Sequence, residues 1–341
     1  LGANDGVRAL RQPGSTLKPF VYGLAVDRLG YDGATLLADV ETQLPVATGT
    51  YVPQNYDERF HGPVRLREAL GNSYNVPAVR VAAEVGVLPL LETLRGAGFA
   101  SLTEAAEHYG PALALGDGEV TLLELAQAYA GLARGGEGVA LRAVRAARGV
   151  APPVLPESPA PPRVLSRSAA LVVTDILKDP RARVSAFGLS SPLDFPYEVA
   201  AKTGTSKSFR DNWTVGFTRD VTVAVWVGNF DGTPMEGTSG ITGAAPLFHA
   251  AMEAAMKGRA PRPLLGPDAD EAWERVAVCA LSGAAPGPAC PHTTHEWRRR
   301  SREGSACAMH VRAAVDVRNG LRAGPECPRR HVLEQTCEDP P

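Results

Sequence analysis

Residues 200–234 read AAKTGTSKSFRDNWTVGFTRDVTVAVWVGNFDGTP. Two runs within it, 213–218 and 221–228, are rich in β-branched and aromatic residues and are parted only by Arg219-Asp220, which predicts an antiparallel hairpin. Trp213 and Trp226 fall on alternating strand positions and are expected in the core. A shorter strand is expected over Tyr197–Lys202. Asp211-Asn212 opens the hairpin close enough to Lys202 to shape a pocket rim.

Upstream of this stretch the apolar period turns helical. Leu17, Phe20, Val21, Leu24 and Ala25 predict a helix over 15–29 that begins after Pro13-Gly14, with Ser15 at its N-terminus. Residues 35–60 read as loops and small strands, and a short helix is expected over 64–70. Ser101 with Glu104 and Thr121 with Glu124 match the capping box, predicting helices over 102–108 and 122–134, the second stopped at Gly135-Gly136. Ser166 or Ser168 opens another helix that runs through Leu177 and ends at Pro180. Helices first and antiparallel strands later make an α+β fold, one sheet with helices segregated around it.

The chain has 341 residues, 44% hydrophobic and 21% charged, enough to bury a sizeable core and outside the disordered and fibrous classes. Its 35 basic and 37 acidic residues leave a net charge of -2, which gives no electrostatic footprint for a nucleic-acid partner. No apolar run is long enough to span a membrane, and the opening residues LGANDGVRAL lack the regions of a secretory signal. Because the chain opens at Leu1 and reaches a motif almost at once, it is expected to be a piece of a longer protein. Prolines 152, 153, 156, 159, 161 and 162 read as a surface loop, since chemically useful groups fall on both sides of them. RAPRPLLGPDADE at 259–271 makes the better linker, dividing a domain over 1–260 from a small Cys-bearing domain over 261–341.

Lysine occurs at only five positions, 18, 178, 202, 207 and 257, in a chain that otherwise uses arginine. Only lysine titrates readily when buried, which singles out Lys18 and Lys202. Lys18 closes Ser15-Thr-Leu-Lys18, and Lys202 opens Lys202-Thr203-Gly204-Thr205-Ser206, with Ser73-Tyr74-Asn75 between them. A serine hydroxyl needs a base within hydrogen-bond reach, and one helical turn places the Lys18 amine beside Ser15. Burial and a second nearby cation, Lys202, would hold that amine neutral. Gly204 lets an extended peptide approach the strand, and Lys202, Thr203 and Thr205 offer charge and donors to a terminal carboxylate. Ser73 and Asn75 suit a proton relay and an amide that positions the Lys18 amine. Taken singly, Ser15 reads equally well as a helix cap, Ser73-Tyr-Asn75 as a turn and Lys202-Thr-Gly as a strand end. The three in this order and context point together to acyl transfer.

At these residues the sequence resembles the transpeptidase domain of class A penicillin-binding proteins, whose signature is S-x-x-K, S-x-N and K-T-G. The likeness is densest in RQPGSTLKPFVYGLAVDR (11–28), GPVRLREALGNSYNVPAVRVA (62–82), LALGDGEVTLLELAQAYAGLARGG (113–136) and residues 200–234. GFTRDVTVAVWVGNFDGTPM and CPHTTHEW are similar to the 1C branch of that family. The resemblance implies a serine β-lactamase/transpeptidase-like fold: an antiparallel sheet with flanking helices and a helical subdomain, followed by a small β-rich domain. It implies Ser15 as nucleophile, Lys18 as general base, Ser73 and Asn75 as relay and positioning groups, and Lys202, Thr203 and Thr205 as carboxylate ligands. The backbone N–H groups of Ser15 and Thr205 would form the oxyanion hole. Peptidoglycan stem peptides ending in D-Ala-D-Ala and β-lactams are the implied partners, with no cofactor. A location at the extracytoplasmic face, anchored by a preceding segment that also carries a glycosyltransferase domain, is implied as well. Cell-wall synthesis proteins are implied partners of the C-terminal domain.

Rival readings are a D,D-carboxypeptidase, a β-lactamase and a non-catalytic β-lactam sensor. No residue between Asn75 and Lys202 matches the deacylating Glu that a β-lactamase uses. His61 and His249 read as surface or packing residues, since a lysine-based scheme needs no imidazole. All five cysteines, 279, 290, 307, 327 and 337, lie in the last quarter. Cys290, His292, His295, Cys307 and His310 have spacings seen in zinc sites, but one or two disulfides in an oxidising compartment is the favoured reading, with no metal in the catalytic site.

Overall fold

The computed structural model describes residues 4–46, 49–141, 163–266 and 270–338. The proline-rich stretch lies outside the described residues. The chain enters through a 3₁₀ turn, Gly14–Leu17, that runs into α1 (Lys18–Leu29). Pro19 is tolerated in the first helical turn, and Gly30, left-handed at φ 67°, stops the helix. Every residue from Lys18 to Val26 is buried, so α1 is an axial helix rather than a surface one.

Four short strands follow, β1 (Leu36–Asp39), β2 (Leu44–Val46), β3 (Gly49–Tyr51) and β4 (Gly62–Arg65), pairing as β1 with β4 and β2 with β3. The helical part comprises α2 (Leu66–Gly71), α3 (Asn75–Val85), α4 (Val87–Ala97), α5 (Ala106–Tyr109), α6 (Leu122–Ala133), α7 (Arg167–Lys178) and α8 (Val184–Phe187). Strands β5 (Ala200–Thr205), β6 (Asp211–Phe217) and β7 (Thr222–Gly228) then form an antiparallel sheet in that order. It is followed by α9 (Ala245–Met256).

Strand periodicity assigns the two faces of this sheet. Ala200, Trp213, Val215, Phe217, Ala224 and Trp226 face the large core built on α1, α6 and α7. Ala201, Val223 and Val225 face the other way, onto Phe248 and Met252 of α9. Each strand alternates between two apolar layers, which is why β6 is buried along its whole length. The expected α+β architecture, a sheet with helices on both faces and a largely helical segment before it, is what the chain adopts. No helix among the described residues is long and apolar enough to cross a membrane.

The remaining strands, β8 (Trp273–Cys279), β9 (Thr293–Arg299), β10 (His310–Asp316) and β11 (Val332–Glu338), make two separate antiparallel pairs, β8 with β9 and β10 with β11. Glu296 of β9, fully buried, fastens the first pair to the preceding part of the chain. Its carboxylate accepts from Arg67 Nε at 2.7 and 2.9 Å and from Arg65 Nη1 at 3.1 Å. Arg67 also reaches Asp175 on α7 at 2.6 Å and Asp179 at 3.2 Å. Glu296→Ala removes the carboxylate that Arg65 and Arg67 share but leaves Glu68, Asp175 and Asp179 on them, so it is expected to lower the unfolding free energy by about 1.5–3 kcal/mol in chemical denaturation of the whole chain. A loss below about 1 kcal/mol would show that the cluster does not fasten the halves.

Several elements depart from the sequence reading. The helix expected over 64–70 starts only at Leu66, because Gly62–Arg65 pairs with Leu36–Asp39 and Glu68 caps the backbone N–H of Arg65 at 3.1 Å. The capping box at Ser101 does not form: the Ser101 N–H and hydroxyl both donate to Glu124 Oε1, at 2.8 and 2.9 Å, and the helix is delayed to Ala106. The box at Thr121 forms as expected, and Ser166 caps α7 at 3.0 Å. The segment at Asn75, expected as loop, opens α3. Helices α4 and α9 were not anticipated; both carry a proline in their first turn, where no N–H is needed but the periodic signal is interrupted.

Candidate active site

The turn that presents Ser15 is pressed against the end of β5. Gly14 adopts φ +57°, and a Cβ on it would sit 2.6 Å from the Thr205 carbonyl oxygen. A Cβ on Gly204 would sit 2.4 Å from the Pro13 carbonyl oxygen. Only glycines allow two backbones to touch there. Side chains from two other elements pin the turn: Tyr129 OH donates to Thr16 O at 2.8 Å, and Trp213 Nε1 donates to Gln12 O at 2.8 Å. Ser15 makes no cap: the turn and α1 have no side-chain capping bond, and the Ser15 hydroxyl has no hydrogen-bond partner among the described residues. Its side chain faces the cleft instead.

One helical step on, the Lys18 side chain is completely buried. Its amine donates to Ser73 O at 2.5 Å and to Asn75 Oδ1 at 2.7 Å, with Ser73 Oγ at 3.4 Å. Ser73 stands in the left-handed region, φ 64°, a conformation costing a serine about 1 kcal/mol or more. It is held there by its neighbours: Asn72 Nδ2 donates to Ala182 O at 3.1 Å, and Asn72 Oδ1 accepts from Ala186 N at 2.9 Å. The strained turn aims the Ser73 carbonyl at Lys18.

From the sheet side, Lys202 Nζ donates to Ser73 Oγ at 2.7 Å and to Thr203 O at 2.9 Å. The Ser73 hydroxyl therefore lies between the two amines. Thr205 Oγ1 accepts from Gly240 N at 2.9 Å, which leaves its own proton free to donate into the cleft. Thr203, Gly204 and Thr205 line that cleft beside Ser15, so the three sequence motifs meet in one place. Lys202 itself is buried, and its amine is engaged by Ser73 rather than by the open cleft.

The profile of the penicillin binding protein transpeptidase domain matches residues 3–253. This chain belongs to the penicillin-binding protein transpeptidase family. The transpeptidase domain is 36% identical over 249 residues to penicillin-binding protein 1C of Escherichia coli (strain K12), covering 73% of this chain and 30% of that protein. In fold it is similar to penicillin-binding protein 1A from Haemophilus influenzae, with a TM-score of 0.70 at 23% identity, over 89% of this chain and 50% of that one. It is also similar to penicillin-binding protein A from M. tuberculosis, solved as an imipenem acyl-enzyme complex, with a TM-score of 0.58 at 21% identity, over 75% and 64% of the two chains. The chain spans about a third of the length of the curated relatives it matches.

In this transpeptidase domain the site opens into two lobes, about 560 and 580 Å³, that share Ser15, Tyr56, Asn75 and Thr205. One lobe runs toward Tyr51, Asp117 and Lys207, the other toward Arg59, His61 and Ile241. A larger cavity of about 680 Å³ beside Arg67 contains none of the motif residues, and Arg67, Asp175 and Asp179 in its wall are paired with one another.

Sequence reasoning missed the groups that hold the Ser73 turn. Asn55 Oδ1 accepts from the N–H groups of Asn75 and Val76, at 2.7 and 3.2 Å, and so caps α3 from outside. Asn55 Nδ2 donates to Asp39, which also takes the His61 ring nitrogen at 2.6 Å, and His61 stacks on Tyr74 with centroids 4.0 Å apart. His61 is thus a positioning residue of the pocket wall. His249 packs on Phe195, away from the site, as expected. Asp211 ties Ser206 to Trp226 and fixes the rim where the sequence placed it.

Burial weakens the basicity of both amines. Burial, reinforced by the charge of Lys202, holds the Lys18 amine well below its ordinary value despite the opposing pull of Asp39. Burial alone lowers Lys202 to about 7. For Lys18 acting as the expected general base the amine must be neutral, so acylation is expected to fall at low pH as that amine is charged. It should fall again above about 7, where Lys202 loses its own charge. A bell-shaped rate of penicillin acylation against pH is the expected result; a rate that climbs unbroken to about pH 10, as for an ordinary lysine, would contradict it.

Proposed function

We propose that this domain is a peptidoglycan D,D-transpeptidase that works through a Ser15 acyl-enzyme and is acylated by β-lactams. The observation that carries the reading is the pair of buried amines closing on one hydroxyl, Lys18 and Lys202 on either side of Ser73, beside an uncommitted Ser15.

In the first step Lys18, neutral, takes the Ser15 proton as Oγ attacks the carbonyl of the penultimate D-Ala of a stem peptide. The negative charge that develops on the carbonyl oxygen falls to backbone N–H groups at Ser15 and Thr205. The proton passes through the Ser73 hydroxyl to the leaving nitrogen, and the terminal D-Ala departs as the C–N bond breaks. In the second step the amine of a neighbouring stem attacks the ester, gives up its proton by the same route, and frees Ser15. The donor's terminal carboxylate is held by the Thr203 and Thr205 hydroxyls, with Lys202 supplying charge from behind. Two lobes meeting at Ser15 suit a donor and an acceptor arriving from different sides. A β-lactam presents a strained amide to the same hydroxyl; its ring opens without releasing a fragment, which favours a long-lived ester.

The site would lie at the extracytoplasmic face, where the substrate is found. A thioester donor that ends in a D-alanyl-type carboxylate, offered together with a D-amino acid acceptor, tests the reading. Ping-pong turnover with aminolysis product is expected. Turnover to hydrolysis product alone would assign a carboxypeptidase, and stoichiometric acylation without turnover would assign a sensor.

A further inference from the structure

We propose that Cys279, Cys290, Cys307 and His310 form a structural zinc site that staples the C-terminal hairpins. Their three Sγ atoms and one imidazole nitrogen all lie within 4.8 Å of one another. Sulfurs at about 2.3 Å from a tetrahedral zinc are roughly 3.8 Å apart, so a slight contraction of the cluster completes the coordination shell. His310 Nδ1 is 3.4 Å from both Cys279 Sγ and Cys307 Sγ, which makes it the nitrogen facing the centre.

The ligands come from places a metal would usefully join. Cys279 ends β8, Cys290 and Cys307 sit on the connections before and after β9, and His310 begins β10. The two strand pairs share no sheet. Few apolar side chains of residues 270–338 are buried, Trp273, Val278, Met309 and Val315 among them, and Trp273 belongs to the core of the catalytic half. Two-stranded pairs with so little core need a staple.

Donors already point at the sulfurs. Gly287 N reaches Cys290 Sγ at 3.3 Å, Ser282 N reaches Cys279 Sγ at 3.5 Å, and Ser282 Oγ reaches Cys307 Sγ at 3.2 Å. Such bonds stabilise thiolates, the form that binds metal. On binding, the three thiols release their protons to solvent while the imidazole stays neutral. With four protein ligands no position is left open, so the site is structural rather than catalytic.

The sequence reading favoured disulfides here. Among the described residues Cys279, Cys290, Cys307 and Cys327 are unbonded to one another, and a histidine amid three sulfurs has no part to play in a disulfide. Of the histidines considered from spacing, His292 and His295 are exposed and outside the cluster, whereas Cys279 joins it. Cys327 lies apart, its Sγ 3.5 Å from Asp316 Oδ2.

The test is metal analysis of the whole chain purified without chelator. About one zinc per chain is expected, released as the cluster thiols are titrated with a mercurial. Replacement by cobalt should give the strong visible bands of a tetrahedral site with thiolate charge transfer in the near ultraviolet. Cys290→Ser should lose the metal and Cys327→Ser should keep it; if Cys290→Ser does not fold, the cobalt spectrum of the unmodified chain decides. No zinc after refolding with added zinc, a disulfide between two cluster cysteines in non-reducing peptide maps, or a cobalt spectrum without thiolate bands would each overturn the proposal.

Discussion

Ser15→Ala is expected to take up no covalent penicillin while remaining folded. The hydroxyl has no hydrogen-bond partner among the described residues, so its removal should shift stability by no more than about 0.5 kcal/mol. The acylation rate, by contrast, should fall by at least about 10⁴-fold, the scale on which loss of a nucleophile is felt. Gel fluorescence with a labelled penicillin, beside a thermal melt, reads both quantities. Persistent labelling in the variant would move the nucleophile elsewhere, with Ser73 the next hydroxyl in the cleft.

Lys18→Ala should slow acylation by about 10²- to 10⁴-fold, the range of a removed general base. It should also cost stability, unlike the first variant, because Ser73 O and Asn75 Oδ1 both lose their donor inside the protein. Both acceptors are half-buried at the edge of the cleft, so the loss amounts to about 1 kcal/mol for each hydrogen bond. Stopped-flow acylation together with denaturant unfolding separates the two effects. A variant that acylates within about threefold of the parent would remove Lys18 from the mechanism, whatever its stability.

The contrast between these variants follows from how the site is assembled. Ser15 is presented by a turn whose shape is set by glycines and by Tyr129 and Trp213, so the side chain is free for chemistry. Lys18 is committed on both counts: it joins α1 to the start of α3 and is the base in the proposed mechanism. Catalysis and folding share that one buried amine.

Much of this was legible in the sequence because it rests on local pattern. The hairpin of β6 and β7 announced itself through alternation, α6 through its capping box, and the three motifs through residue types that acyl transfer requires. Illegible parts depend on contacts between distant segments. Asn55 and Asp39 sit among turn residues with no spacing that links them to Ser73, yet Asn55 caps α3 and Asp39 holds Asn55 in place. Ser101 looked like a cap until Glu124, from another helix, took its donors. The Lys202 amine, read as a carboxylate ligand, is drawn to Ser73 because a buried ammonium must satisfy its donors at once. Glu296 carried no motif at all, and only the folded chain shows two arginines converging on it.

The most direct check on the central claim is the position of the covalent ester. The unmodified chain, incubated with a penicillin and digested with trypsin, should carry the adduct on the peptide spanning residues 12–28, which stays whole because Pro19 protects the bond after Lys18. Fragmentation should place it on Ser15. An adduct on the peptide spanning residues 68–80, which contains Ser73, or an intact mass unchanged by the drug, would contradict the account.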